Sequence, residues 1–557
     1  MPVALSYPGV YVQEIPTGVH TITGVATSIT AFIGRAARGP DNAPVTVNSF
    51  GDFERTFGGL WTGATLGYAV RDFFLNGGGQ AIIVRLYNPE TGNNAKATNA
   101  SVNVGAFTFV AAYKGIWGAN LRASIDLNVS ADVAATYGLT KADLFNLAIR
   151  EINAQGATVN QEIFRNLTVK DSPRRVDKVL AAQSQLLRWN GAFPAANALP
   201  AIAAESDDVT TAEAAFAKAQ AANPQVPADI SAAQTALTNA HAAMACSDGL
   251  ALTMADSFTP AGAQAGKTGL YALEQTDLFN LLCIPPYTAG NDVDTALIAQ
   301  AAAYCEQRRA FLIVDPPTAW TSAATAQSEF RDPQNDPIGT RSKNAAVFFP
   351  RLGEANPLHD NQIEDFAPCG AVAGVFASTD ASRGVWKAPA GIGASLVGVQ
   401  RLNVGLTDAE NGQLNQIGIN CLRSFPVAGP VVWGSRTLRG ADQLADEYKY
   451  IPVRRTALFL EESLYRGLQW AVFEPNDEPL WAQIRLNAGA FMQTLFRQGA
   501  FQGSTPLEAY FVKCDSETTT QADINQGIVN ILVGFAPLKP AEFVVISLQQ
   551  IAGQIAV

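Results

Sequence analysis

Apolar positions in this chain fall into short unbroken runs, separated by turn residues. Residues 27–34 (TSITAFIG) and 81–86 (AIIVRL) each read as a buried strand. Between them lie a turn at Gly39-Pro40 and a helical stretch that closes near Gly77-Gly78-Gly79. The pattern returns at 279–285 (FNLLCIP) and 310–317 (AFLIVDPP), with a helix between them through Glu306-Gln307-Arg308-Arg309. Strand, helix and strand at this spacing predict a parallel βαβ unit and a mixed α/β fold. Asp315 follows the second strand and precedes two prolines, which reads as a turn-forming aspartate.

The last third changes period. Over 452–473, Val453, Ala457, Leu460, Leu464, Leu468 and Ala471 share one narrow helical stripe. Arg454, Arg455, Glu461, Glu462, Arg466 and Gln469 occupy the opposite face, which reads as a solvent face or as a surface recognising a charged partner. Asn476 or Asp477 caps a second helix carrying Leu480, Ile484, Phe491 and Leu495, and Gly499 ends it. Strands are expected at Ala509–Lys513 and Ile528–Gly534. Both termini carry strand-like segments fenced by prolines. Val10-Tyr11-Val12-Gln13-Glu14-Ile15 lies between Pro8-Gly9 and Pro16, and Glu542-Phe543-Val544-Val545-Ile546-Ser547-Leu548 follows Pro537 and Pro540. Neither has a hairpin partner beside it, so each must join its own sheet or a neighbour's edge.

From about 90 to 265 the character shifts, and 195–245 is Ala-rich. Thr210 and Glu213 form a capping-box pattern, Asn223–Pro227 breaks the helix, and a second helix runs to about Met244. This predicts an exposed helical hairpin on an inserted domain, with an Ala-rich linker of partial helicity as the alternative.

Charge and composition narrow the function. Lys and Arg number 38 against 49 Asp and Glu, a net charge of −11, which offers no positive field to nucleic acid. Only 16% of residues are charged while 48% are hydrophobic, which points to surface covered by other subunits in the working state. Six scattered cysteines (246, 283, 305, 369, 421 and 514) form no CxxC pair and read as reduced thiols. The opening MPVALSYPGV lacks a secretory pattern, and no apolar run is long enough to span a membrane, so folding in the cytosol is expected.

Catalytic chemistry finds little support. His20, His241 and His359 have no second histidine at metal-ligand spacing. Gly262–Thr268 (GAQAGKT) imitates a phosphate loop but places three residues between its glycines where four are needed. Gly391–Leu396 (GIGASL) imitates a dinucleotide fingerprint but has Leu396 in place of the third glycine, and Ser395 lacks a GxSxG frame. No cofactor, metal or enzymatic activity is expected.

The runs YPGVYVQEIPTG, SITAFIGRAARGP and FERTFGG resemble the start of contractile tail sheath proteins, and YIPVRRTALFLEESLYRGLQWAVFEPND resembles their C-terminal block. FRQGAFQGSTPLEAYFVKCD and GIVNILVGFAPLKPAEFVVISLQQ continue it, and LLCIPP, YCEQRRAFLIVDPP and PAGIGASLVGV fit the middle. The resemblance spans roughly 1–90 and 270–557. It implies an N-terminal strand arm (1–20), the start of the sheath core (21–90) and an outward-facing insert (91–265). A middle α/β domain (266–365), a C-terminal domain facing an inner tube (366–540) and a C-terminal strand arm (541–557) follow. The implied function is structural: a helical sleeve built in an extended metastable state that contracts and drives its tube through an envelope. The implied partners are further copies of the chain, the tube protein, and baseplate and terminator proteins, with no nucleic acid and no membrane insertion. Val10–Ile15 and Glu542–Leu548 become inter-subunit strands, and Arg454, Arg455, Glu461, Glu462 and Arg466 become tube-contact candidates. The implied setting is the producing bacterium's cytoplasm, then a phage tail or injection particle. An NTP-dependent enzyme using Gly262–Thr268, or a static filament, are the alternatives.

Overall fold

The computed structural model of the chain describes residues 20–92, 98–104, 107–153, 156–193, 207–222, 225–243, 246–288 and 290–547. Its centre is an eight-stranded sheet. Ala81–Arg85, Thr30–Gly34, Leu281–Cys283, Phe311–Val314, Ala345–Phe349 and Asn420–Phe425 lie side by side in that order, all parallel. An antiparallel strand closes each end, Val45–Val47 beside Ala81–Arg85 and Gly429–Val432 beside Asn420–Phe425. The apolar runs are continuous because both faces are covered. Ala31 and Ile33 point into a layer with Leu297 and Ala301 of helix Thr295–Gln307. Phe32, between them, points into the opposite layer with Phe73 of helix Leu66–Leu75 and Val372 of helix Cys369–Arg383. Each of the larger of these side chains, such as Ile33, Phe32 or Leu297, contributes about 1.5–3 kcal/mol when fully withdrawn from water.

Asp315 is more than a local turn. Its Oδ1 accepts the Cys369 N–H at 2.8 Å, so it caps helix Cys369–Arg383 from 54 residues away. Burial pushes its carboxyl up to about 6. All six cysteines are free and buried.

The chain leaves the core sheet after Arg85 and builds a separate apolar core from Ala100 to Leu187 with Cys246. Two three-stranded antiparallel sheets enclose it. Arg85 holds the junction, donating to the carbonyls of Ala36, Gly39 and Lys114 at 2.9, 3.0 and 2.8 Å. Helices Asp207–Ala221 and Pro227–Ala243 form the expected hairpin. Helix Asp207–Ala221 is already under way at Thr210, which corrects the capping-box reading. Glu213 instead pairs with the buried Arg122 of the insert, a partner that local spacing does not reveal.

Beyond the core sheet, Leu352–Asn356 sits between Gln362–Phe366 and Val399–Leu402 in a three-stranded sheet against helix Leu66–Leu75. There Arg71 is shared by Asp72 at 2.9 Å and Glu354 at 2.5 Å. Both carboxyls are buried, and each keeps one oxygen without a hydrogen-bond partner. Two buried carboxyls that share one cation hold a proton between them. Burial, then the neighbouring Asp72 charge, pushes Glu354 up to about 9, and burial moves Asp72 in the same direction.

The C-terminal layer consists of helices Ile451–Gly467 and Glu478–Arg497 and a two-stranded antiparallel hairpin, Tyr510–Lys513 with Leu532–Phe535. Asp477 caps the second helix through the Leu480 N–H. The strand expected over Ile528–Gly534 is shorter at its start. Its first residues are held by side chains instead, with Asn476 Nδ2 donating to the Ile528 carbonyl and the Asn530 N–H donating to Thr519 Oγ1.

Candidate functional site

Helix Ile451–Gly467 lies between two apolar layers. Ile451 and Leu458 belong to the core-sheet layer, while Leu460 packs with Phe491 and Met492 of the C-terminal layer. A helix sandwiched in this way has little solvent face. Arg455 forks onto Asp380 at 2.9 and 2.6 Å and donates to the Thr27 carbonyl at 2.9 Å. Both side chains of that ion pair are 3% exposed. Arg454 donates to Asn344 at 2.8 Å and Glu461 at 3.0 Å. Glu462 is buried and accepts from Arg309 at 2.7 Å and Arg466 at 2.6 Å.

The surface expected of Arg454, Arg455 and Glu462 is therefore not available, because these three fasten the helix to the body. Their partners Asp380, Asn344 and Arg309 lie 75, 110 and 153 positions away, so periodicity alone does not reveal them. Glu461 and Arg466 keep exposed surface. Arg466 also pairs with Asp277 at 2.7 Å, and its hydrogen bonds to Asp277 and Glu462 raise its already high pKa. The outward strip is completed by Tyr465, Gln469, Val472 and Phe473, of which only Gln469 lies on the polar face of the helical wheel. The helix ends at Gly467, where a Cβ would meet Ile22 at 2.6 Å, and a short turn at Gln469–Ala471 follows.

Beside this helix, the hairpin strand Leu532–Phe535 pairs only with Tyr510–Lys513 among the described residues. Between strand and helix runs an open groove of about 610 Å³, lined by Leu460, Leu464, Leu468, Val472, Leu532 and Val533. Past the hairpin the chain stays tied to the body through the Ala536 N–H, which donates to the Ala509 carbonyl at 2.8 Å.

The segment expected as a terminal strand divides in two. Glu542 turns inward and pairs with Arg436, which corrects its assignment to the free arm. Burial works to raise its carboxyl, but the Arg436 guanidinium outweighs this and holds it below the usual carboxylate range. Phe543, Val544, Val545 and Ile546 are then 75–86% exposed and pair with no strand among the described residues. Ser547 is exposed too, while Leu548 and the N-terminal segment Val10–Ile15 lie outside the described residues.

The two imitation motifs take other forms. Gly262–Thr268 contains a four-residue helix, Ala263–Gly266, after a turn at Met254–Phe258, with no strand preceding it. Gly391–Leu396 lies along Gly429–Val432, with the Gly391 and Leu396 N–H groups donating to the Val432 and Pro430 carbonyls at 2.9 Å.

An α/β body with a strand edge unpaired among the described residues and an exposed apolar tail is the architecture of a subunit that assembles with others. The phage tail sheath protein central domain pattern matches residues 259–438, and the phage tail sheath C-terminal domain pattern matches 445–551, together more than half of the chain. The chain belongs to the phage tail sheath family, whose role is structural.

A tail sheath protein of Vibrio phage KVP40 is 29% identical over 181 residues, 32% of this chain and 25% of that protein. A putative prophage major tail sheath protein of Pseudomonas aeruginosa is 26% identical over 284 residues, 50% of this chain and 67% of that protein. The matches thus span a quarter and two thirds of these relatives' lengths. The fold is also that of the anti-feeding prophage helical sheath in its contracted state, with a TM-score of 0.53 and 22% identity over 98% of this chain and 99% of that one. The contracted sheath of the PVC extracellular contractile injection system gives 0.53 and 20%, covering 99% of each chain. Among the described residues, no helix is long and apolar enough to cross a membrane.

Proposed function

We propose that this chain is the repeating subunit of a contractile helical sheath. It assembles around an inner tube in an extended state and shortens to drive the tube through a target envelope. The observation that carries this reading is the exposed run Phe543–Ile546, on a subunit that also carries an apolar groove and a strand edge unpaired among the described residues. Four large apolar side chains facing water are unfavourable in a lone subunit and become favourable when a second copy offers an edge. Each subunit gives its tail to a neighbour and receives one, a head-to-tail contact that does not close and so builds a filament. Main-chain pairing tethers neighbours while their bodies reorient as rigid units.

Glu461, Tyr465 and Arg466 form the surface offered to the tube, with contacts polar enough to release on contraction. Baseplate and terminator proteins bound the sleeve at its ends, and assembly takes place in the producing cell's cytoplasm. The insert faces outward, because an inward body of that size would collide with the tube. The work is mechanical, with no catalytic step.

Negative-stain microscopy of the purified chain beside one lacking residues 543–557 tests this. Tubes from the full chain and small particles from the shortened one are expected. Equal tubes from both would sink the strand-exchange reading. Saturable nucleotide binding lost on Lys267→Ala would replace the mechanical reading with an enzymatic one.

A further inference from the structure

We infer that Glu542 is a fixed pivot, the point at which the C-terminal arm is fastened to its own subunit before it departs for another; this rests on the strand-exchange reading above. Between the hairpin and the exposed run, residues 538–543 line a groove of about 920 Å³ together with Arg383, Trp386, Asn411 and Trp433. Pro540 removes an N–H donor from this strap, and Pro537 removes another just before it. Glu542 supplies the fastening instead. Its carboxylate accepts from Arg436 Nε and Nη2, both at 2.7 Å, and from the Tyr450 hydroxyl at 3.1 Å.

Arg436 is unusually well seated for this task. Its side chain is 1% exposed, and Nη1 is held by the Asn415 carbonyl at 2.8 Å and by Asp442 at 2.9 Å. Its backbone is clasped by Asn420, which accepts the Arg436 N–H at 2.6 Å and donates to the Arg436 carbonyl at 2.7 Å. Asn420 lies in the core sheet, and its amide also reaches the Val347 carbonyl of the adjacent parallel strand at 3.1 Å. A planar fork meeting a carboxylate with two parallel bonds fixes direction as well as position. Tension on the arm therefore passes through Glu542, Arg436 and Asn420 into the six parallel strands, and the two-stranded hairpin is bypassed. The exchanged segment begins at Phe543, and bodies that reorient swing about residue 542 with the clamp closed.

The test uses the full-length chain, Glu542→Gln, Tyr450→Phe and a chain ending at Glu542. The readouts are tube yield in negative stain, hydrogen exchange of residues 538–542, and the melting curve of the unassembled subunit. For Glu542→Gln, exchange across 538–542 is expected to be roughly tenfold faster, with tube yield lower by a similar factor and the body's melting unchanged. Tyr450→Phe, which keeps the ion pair and loses one hydroxyl, falls between it and the parent. The chain ending at Glu542 makes no tubes, yet keeps the parental exchange over 538–541. Parental exchange and parental tubes from Glu542→Gln would overturn the pivot and leave arm exchange standing. Tubes from the chain ending at Glu542 would instead overturn arm exchange itself. Should Glu542→Gln lower the body's melting temperature, Tyr450→Phe decides: faster exchange at parental melting supports the pivot, and parental exchange overturns it.

Discussion

The core sheet and the C-terminal hairpin treat their edges in opposite ways. One end of the core sheet is a strand of only three residues, Val45–Val47. At the other end, loop 391–396 lies along Gly429–Val432 with three backbone hydrogen bonds. Both are devices that stop a sheet from growing. The hairpin Tyr510–Lys513 with Leu532–Phe535 has no such cover among the described residues. The contrast extends to side chains. The body keeps charge inside, as in Arg455–Asp380 and Arg436–Glu542, while the tail carries apolar residues outside, at Phe543–Ile546. A subunit that hides its charge and shows its apolar residues is arranged for the assembly rather than for the monomer.

The largest effect separating the two regions comes from the tail. Changing Val544 and Val545 together to Asp is expected to abolish tubes in sedimentation and electron microscopy, with subunit melting unchanged, because both side chains face water in the lone subunit. A drop in subunit melting would place them inside the body. On the body side, Asp380→Asn leaves Arg455 buried and uncompensated and costs about 3–5 kcal/mol in urea unfolding. A change below about 1 kcal/mol would mean that water reaches the pair.

A third test uses pH. Glu354 holds its proton up to about 9 in the folded chain, against an ordinary value near 4.5. A carboxyl raised by folding makes the native state bind more protons than the unfolded one. Stability therefore falls as pH rises through that window, by at most about 1.4 kcal/mol per unit. Glu354→Gln, which has no proton to lose, flattens the decline when unfolding is followed from pH 6 to 9. An unchanged slope would assign the decline to other groups. The smallest effect on the subunit belongs to Tyr465→Ala, which shifts its stability by about 1 kcal/mol or less. Its mark is instead on co-sedimentation with the inner tube, and retention of tube binding would remove this face from the contact.

What the sequence disclosed follows the range of the forces involved. Runs such as Phe311–Val314 are apolar at every position because each face meets a helix layer, and that is visible locally. Asp477 caps its own helix three residues on, and this too is visible. Arg454 and Arg455 look like surface charges on a helical wheel, since a wheel knows one partner layer and this helix has two. Glu542 looks like the first residue of a free strand because its reason for turning inward, Arg436, lies 106 positions back. Asp315 misleads in the same way, since a local Asp-Pro pair hides a remote helix cap. Pairings through space carry no periodic signature, and the site of an assembling protein is built largely from them.

The insert's doorway has a practical meaning. The chain leaves the core at Asn88 and returns at Leu250, and there the Leu250 N–H donates to the Asn88 carbonyl at 2.7 Å. Departure and return thus share one narrow neck on the body's surface. A polypeptide whose two ends lie this close can be spliced into that neck without stretching the parallel strands beneath it. With the insert outward as proposed above, the sleeve is in effect a rack with one socket per subunit, and its exterior can be refitted with a different globule at every repeat.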